Sequence, residues 1–133
     1  MNIKPDKPAE IPLRRVLLAD DEPLVWRIVE RLLGPQWILE TVSDSLQAVE
    51  MLHRQRFQVV VADYDMPGHD GIWLLKKVKQ IDPQAVRILL SGHSIEAINT
   101  YLSSGLVNHF ISKPIDQDRL SRALDSTRDI GSP

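Results

Sequence analysis

The sequence predicts an α/β domain with an open, doubly wound parallel sheet of five strands and helices on both faces. Five short apolar segments alternate with five segments whose apolar residues recur every three or four positions, which is the pattern of repeated strand–helix units. Parallel neighbouring strands need crossover connections, and the helices supply them. A closed barrel would require eight such units, which a chain of 133 residues cannot provide.

The first two units occupy the amino-terminal third of the chain. The first strand is Val16–Ala19, which ends at an acidic pair, and the helix that follows begins at a proline and ends at Gly34. The second strand is the loosely alternating segment Trp37–Val42. Asp44 or Ser45 can cap the second helix, since either side chain accepts hydrogen bonds from backbone N–H groups.

The third unit contains the most apolar strand. Gln58–Ala62 is apolar enough to be buried on both faces, as central parallel strands are, and it ends at an aspartate. A turn-rich loop over residues 65–71 leads into a third helix, which stops before Asp82 because a proline follows.

The fourth and fifth units complete the sheet. The fourth strand is Val86–Leu90, and Ser94 is predicted to cap the fourth helix, which ends at Gly105. The fifth strand is His109–Ile111, and Asp116 is predicted to cap the last helix.

Composition limits the classes of function. Sixteen Lys and Arg residues against eighteen Asp and Glu residues leave a net charge of −2, which gives no basic surface for nucleic acid or anionic lipid. No apolar run reaches the roughly 18 residues of a membrane span, and cysteine is absent. We therefore expect a cytoplasmic protein with a flexible N-terminal arm (1–13), one domain (14–128) and a C-terminal tail or linker start (129–133), which binds neither membrane nor nucleic acid.

Polar side chains follow four of the predicted strands. Ligands of open parallel sheets bind outside the carboxyl ends of the strands, and those ends carry Asp20, Asp21, Asp63, Ser91 and Lys113. Several carboxylates form a hard oxygen site suited to Mg²⁺. A lysine and a serine can hold phosphate oxygens while one carboxylate attacks phosphorus. We call this edge of the sheet, with its five polar residues, the rim. The residues of the rim therefore predict phosphoryl transfer.

The motifs at these positions resemble those of response-regulator receiver domains, the chemotaxis-regulator-like superfamily of bacterial two-component signalling. All four motifs occur in the family's order, and the resemblance covers residues 14–128. They are Leu18–Glu22, Val61–Gly71, Leu90–Gly92 and Ser112–Pro114. The resemblance implies a flavodoxin-like strand order of 2-1-3-4-5.

The resemblance also implies roles for individual acidic residues. Asp63 is the phosphoacceptor, Asp21 a direct Mg²⁺ ligand and Asp20 a ligand acting largely through water. Asp65 contributes its backbone carbonyl, and Mn²⁺ is an expected substitute for Mg²⁺. Asp65 and His93 occupy the positions that tune loss of the phosphoryl group in this family.

A second set of implied roles concerns signalling. Lys113 bridges to the phosphate, Ser91 follows the phosphoryl oxygen inward, and Phe110 reports that movement to the last two helices. Ser91 stands where Thr is frequent and Phe110 where Tyr is frequent. The bond before Pro114 is expected to be cis.

The implied partners lie on both sides of the phosphorylation step. The donor is a phosphohistidine on a sensor histidine kinase or a phosphotransfer protein. An output domain or effector, or a second copy of the chain in a homodimer, binds the surface formed by the fourth helix, fifth strand and fifth helix. Ser91–His93 with Lys113 and Pro114 also resembles receivers attached to HD-GYP cyclic-dinucleotide phosphodiesterases or to other large effectors.

Two alternatives remain open at the level of sequence. Val60–Asp65 also resembles the first motif of haloacid-dehalogenase-type phosphatases. That motif normally follows the first strand and has Thr or Val at the position of Pro67, and the phosphatase interpretation assigns no role to Asp20 and Asp21. The other alternative is an interaction module that has lost phosphorylation. The presence of all the site residues argues against it. We therefore predict a phosphoacceptor that catalyses only its own phosphorylation and dephosphorylation, rather than an enzyme acting on a separate substrate.

Overall fold

The computed structural model describes residues 14–131. The predicted N-terminal arm, residues 1–13, lies outside the described residues, as do the last two residues of the predicted tail. Strands and helices alternate along the described chain. In order they are β1 (Arg14–Ala19), α1 (Pro23–Leu32), β2 (Trp37–Val42), α2 (Ser45–Arg54), β3 (Val59–Asp63), α3 (Gly71–Ile81), β4 (Val86–Ser91), α4 (Ile98–Ser103), β5 (His109–Ser112) and α5 (Gln117–Gly131).

The five strands form one parallel sheet in the order β2-β1-β3-β4-β5, so the predicted fold and strand order are confirmed. Apolar residues of α1 and α5 pack on one face of the sheet, and those of α2, α3 and α4 pack on the other. All five residues of β3 are buried because helices cover both faces at the centre of the sheet. No described helix has the length and apolar character that crossing a membrane requires.

Two predicted helix starts are resolved by hydrogen bonds. Asp44, and not Ser45, caps α2, because its Oδ1 accepts from the N–H of Gln47 at 2.8 Å. At the start of α5, Oδ1 of Asp116 accepts from the N–H of Asp118 at 3.0 Å. The helix that follows continues past residue 128, the predicted end of the domain.

The predicted start of the fourth helix at Ser94 is wrong. The helix begins at Ile98, and Ala97 precedes it without a side-chain cap. Ile95 is buried in the core, and the N–H of Ile98 donates to the Ile95 carbonyl at 3.1 Å as part of a turn. The chain therefore takes an irregular path between β4 and α4 that anchors Ile95, and Ser94 lies outside the helix.

The sheet register brings the carboxyl ends of the strands together. Ala19 of β1 is paired with Ala62 of β3, and Asp63 is paired with Leu90 of β4. The residues that follow these pairs emerge at the same edge of the sheet, where the sequence predicted the site.

Candidate functional site

Two buried carboxylates lie side by side at the carboxyl end of the sheet. Asp63 is the last residue of β3 and is 4% exposed, while Asp20 directly follows β1 and is fully buried. Asp21, the next residue, is exposed. One carboxylate oxygen from each of the three aspartates lies within 4.8 Å of the others. The fold therefore brings the three predicted metal-binding side chains together.

The start of α1 holds Asp20 in place. The N–H of Glu22 donates to Oδ1 of Asp20 at 2.9 Å, and the indole N–H of Trp26 donates to the Asp20 backbone carbonyl at 2.7 Å. Among the residues that the structure describes, Oδ2 of Asp20 is the single buried side-chain polar atom that lacks a hydrogen-bond partner. A buried acceptor without a donor is costly, so this oxygen favours a positively charged neighbour.

Lys113, the residue after β5, reaches back across the sheet to the carboxylates. Its Nζ lies 2.6 Å from Oε1 of Glu22 and 3.3 Å from Oδ2 of Asp63. The same nitrogen is 3.2 Å from Oδ2 of Asp20. This last contact is an ion pair and not a hydrogen bond. Lys113 therefore balances part of the negative charge of the rim.

The net charge of the rim is reflected in shifted pKa values. Burial and the neighbouring Asp20 carboxylate raise the pKa of Asp63 to about 6, although Lys113 and the backbone N–H of Asp65 lower it. Burial also raises the pKa of Asp20, against the lowering effects of the Glu22 N–H and Lys113. Burial lowers the pKa of Lys113, but the carboxylates of Glu22, Asp20 and Asp63 outweigh it, so that pKa is raised.

The chemistry of the donor set fits Mg²⁺. Three carboxylates converge, one oxygen among them is buried and unpaired, and all the donors are oxygen atoms, the type of ligand that Mg²⁺ prefers. A cation would offset the burial of both carboxylates and relieve the repulsion from Asp20 that helps to raise the pKa of Asp63.

Ser91, the last residue of β4, is fully buried. Its hydroxyl donates to the carbonyl of His93 at 2.7 Å, and the N–H of His93 donates back to the same oxygen at 3.2 Å. The hydroxyl is therefore engaged by its own loop. The His93 ring lies over the loop after β3, with Nε2 3.6 Å from Oδ2 of Asp65, and both side chains are largely exposed.

Phe110 and Pro114 lie on and after β5. Phe110 is half-buried and packs against the core cluster on the face of α2, α3 and α4. The Lys113–Pro114 peptide bond is cis, the conformation that the resemblance implied. The backbone N–H of Lys113 donates to the carbonyl of Ser91 at 2.8 Å, which ties this turn to the end of β4.

Two residues of this region received no role at the site from the sequence. Glu22 makes the shortest contact of Lys113, and its position next to the acidic pair is a signal that could have indicated it. Ser45 contacts the loop after β3, and only the packing of α2 against α3 brings it there. Nothing in the sequence around Ser45 signals this contact.

The sequence matches the model of the response regulator receiver domain family over residues 16–125. Among curated proteins, the chemotaxis protein CheY of Bacillus subtilis is 30% identical over 115 residues, which are 85% of this chain and 96% of CheY. The chain also matches several transcriptional regulatory proteins but spans only 23% to 28% of their length.

Solved structures agree with the sequence comparison. The signal receiver domain of an HD domain-containing protein from Pseudomonas fluorescens Pf-5 is 28% identical, with a TM-score of 0.79 over 88% of this chain and 95% of that one. The receiver domain of the sensor histidine kinase PA1611 from Pseudomonas aeruginosa has a TM-score of 0.74 at 24% identity, over 90% of this chain and 99% of that one. The latter structure has a magnesium ion coordinated in its active-site cleft.

Proposed function

This chain belongs to the response regulator receiver family of two-component systems, and on that premise we propose that it accepts a phosphoryl group on Asp63. The observation that carries the proposal is the cluster of Asp20, Asp21 and Asp63 within 4.8 Å, with Lys113 at 3.3 Å from Asp63. Receiver domains act as phosphoacceptor switches rather than as enzymes with a separate substrate.

In the proposed transfer, an Asp63 oxygen attacks the phosphorus of a phosphohistidine. The new O–P bond forms as the P–N bond breaks, and the electron pair of that bond returns to the imidazole of the donor. The donor is a sensor histidine kinase or a phosphotransfer protein. With a pKa of about 6, Asp63 is ionised and nucleophilic at neutral pH. Lys113 lies close enough to contact the incoming phosphoryl oxygens.

Mg²⁺ is the proposed cofactor, with Mn²⁺ as an expected substitute. Asp20, Asp21 and Asp63 would hold it together with the backbone carbonyl of Asp65. When bound, the cation neutralises charge on the phosphoryl oxygens during transfer. The magnesium ion in the PA1611 receiver supports this assignment by analogy.

The proposed switch begins at Ser91. In the unmodified protein its hydroxyl donates to His93, and an acyl phosphate on Asp63 offers it a charged acceptor instead. Inward movement of Ser91 vacates space that Phe110 enters, which changes the surface of α4, β5 and α5. Phe110 has no hydroxyl, so its inward state makes no hydrogen bond at the surface. The side chains of Asp65 and His93 lie 3.6 Å apart and are largely exposed, and their proposed role is to tune the access of water to the phosphoryl group.

The output of the switch is an effector or output domain, or a second copy of the chain, bound through α4, β5 and α5. The HD domain-containing protein whose receiver is similar to this chain supports an HD-type effector. We propose residues 14–128 as the receiver unit, with an arm before it and a linker or tail after it. A cytoplasmic protein without direct binding to nucleic acid is consistent with the net charge of −2.

The test is intact mass after incubation with acetyl phosphate or phosphoramidate and Mg²⁺. Wild-type protein should gain one phosphoryl group, Asp63→Asn should gain none, and Asp125→Asn on the exposed face of α5 should behave as wild type. Persistent acid-stable phosphate on Asp63→Asn would overturn the assignment. Catalytic release of phosphate without an adduct would favour a phosphatase. Neither adduct nor turnover would favour an interaction module, and so would partner binding that is indifferent to Asp63→Asn.

A further inference from the structure

The segment between β3 and α3, residues 64–70, follows the acceptor directly and carries Asp65. Its first residue is bonded to β4, and the first residue of α3 is bonded back to the start of the segment. The N–H of Tyr64 donates to the carbonyl of Leu90 at 2.7 Å, and the N–H of Gly71 donates to the carbonyl of Tyr64 at 3.0 Å. These bonds define where the segment begins and ends but leave its middle to be held by something else.

Ser45, the first residue of α2, holds the middle of this segment. Ser45 is fully buried, and its Oγ accepts from the N–H of His69 at 2.7 Å. The backbone N–H of Ser45 donates to the carbonyl of Pro67 at 3.4 Å, and the hydroxyl also lies 3.5 Å from that carbonyl. A residue from a different helix therefore contacts two positions of the loop beside the acceptor.

The hydroxyl of Ser45 is free for this role because another residue caps α2. A serine at a helix start usually accepts from the first N–H groups of its own helix. Here Asp44 does so through Gln47, and Ser45 turns its oxygen to the N–H of His69 instead.

Gly68 shows how closely the loop packs on this serine. Its φ is +88°, and a Cβ atom at Gly68 would lie 2.7 Å from Oγ of Ser45. Both the backbone conformation and the space therefore require glycine. The hydroxyl and the loop backbone are in direct contact, with no room for a side chain between them.

We propose that Ser45 is a positioning residue for the chemistry at Asp63. By fixing residues 67–69, it holds the backbone of Asp65 where its carbonyl can bind the cation. The expected change in phosphoryl-group lifetime rests on the proposed function of Asp63. The expected change in Mg²⁺ affinity does not. Groups that orient a metal ligand typically change metal affinity by about tenfold or more when they are removed.

The test compares Ser45→Ala with Asp44→Ala, a control that weakens the same helix start without touching the loop. Mg²⁺ binding is followed through the NMR resonance of the Trp26 indole N–H, which donates to the Asp20 carbonyl. Ser45→Ala should weaken Mg²⁺ binding by about tenfold and speed amide hydrogen exchange at His69. Asp44→Ala should lower thermal stability and leave Mg²⁺ affinity unchanged. The lifetime of the phosphoryl group should change in Ser45→Ala alone.

The outcomes separate the two proposals. Mg²⁺ affinity of Ser45→Ala within about twofold of wild type, or an equal loss in Asp44→Ala, would overturn the role of Ser45. If wild-type protein binds Mg²⁺ but accepts no phosphoryl group, the function proposed for Asp63 fails and the Mg²⁺ titration still decides the role of Ser45. Wild-type protein that binds no Mg²⁺ would overturn both.

Discussion

The buried charged groups at the two ends of the sheet differ in how completely they are hydrogen-bonded. At the amino end, the Arg87 guanidinium of β4 is buried and donates to four backbone carbonyls, at distances from 2.8 to 3.1 Å. At the carboxyl end, the Asp20 and Asp63 carboxylates are buried beside one another, and one of their oxygens has no hydrogen-bond donor. The first arrangement is complete within the fold, and the second is not.

Arg87 joins two loops through these bonds. Its acceptors are the carbonyls of Pro83 and Ala85 before β4, and of Gly105 and Leu106 after α4. Burial lowers its pKa, although Asp82 raises it. Buried polar groups that are fully paired specify the fold. Buried carboxylates that repel each other are instead stabilised when a cation binds between them. Incomplete pairing of buried charge therefore marks the functional end of the sheet.

Loss of the Arg87 guanidinium should change the free energy of unfolding the most. Arg87→Ala removes donors from four carbonyls, and we expect the free energy of unfolding to fall by about 3 to 5 kcal/mol. Arg54→Ala, at an exposed position of α2, should change it by less than about 0.5 kcal/mol. Chemical denaturation of both variants measures the difference. A loss below about 1 kcal/mol at Arg87 would mean that water replaces its bonds.

The second effect is stabilisation by a bound cation. Mg²⁺ at about 100 times its dissociation constant should raise the free energy of unfolding by about 2.7 kcal/mol, because it binds the folded rim and relieves its repulsion. The thermal midpoint with and without Mg²⁺, at matched ionic strength, measures this. A midpoint that Mg²⁺ leaves unchanged would contradict the interpretation of the rim.

The third effect is the removal of one repelling carboxylate. Without Mg²⁺ at neutral pH, Asp63→Asn should raise the free energy of unfolding by about 2 to 3 kcal/mol, because burial and the Asp20 carboxylate raise the pKa of Asp63 from 3.8 to about 6, and each pKa unit corresponds to about 1.4 kcal/mol. Denaturation midpoints of wild type and Asp63→Asn test this, with Asp125→Asn as the control. A destabilised Asp63→Asn would show that the ionised carboxylate is well accommodated.

The smallest effect is the dependence on pH. The pKa of Asp63 is about 6 in the folded protein against 3.8 for a free aspartate, so the folded state binds more protons between these values. The resulting stabilisation is complete below pH 3.8 and is lost as the pH rises through about 6. Between pH 5 and pH 7, Asp63 should lower the free energy of unfolding by about 1 kcal/mol.

This pH effect is measured as the difference between wild type and Asp63→Asn in the absence of Mg²⁺. His109 makes the subtraction necessary, because burial lowers its pKa and its contribution to stability rises with pH. A stability difference between the two proteins that is constant from pH 5 to pH 7 would show that Asp63 does not titrate in this range.

The order of the elements and most of the rim could be predicted from local patterns. Runs such as β3 are apolar throughout because both faces are covered, and the strand ends then place Asp63 and Lys113 at one edge. The start of α4 could not be predicted in this way. Ser94 has the local character of a cap, but burial of Ile95 and the hydrogen bonds between Ser91 and His93 hold the chain out of a helix until Ile98.

The α/β architecture and the five polar residues of the rim follow from the amino-acid sequence alone, since hydrophobic periodicity and strand-end position are local properties of the chain. Which groups pair with one another depends on the tertiary structure. The contacts of Lys113 with Glu22, of Ser45 with His69, and of Arg87 with Gly105 join residues 91, 24 and 18 positions apart. Such contacts depend on how helices pack on the sheet, and a periodic pattern carries no record of that packing.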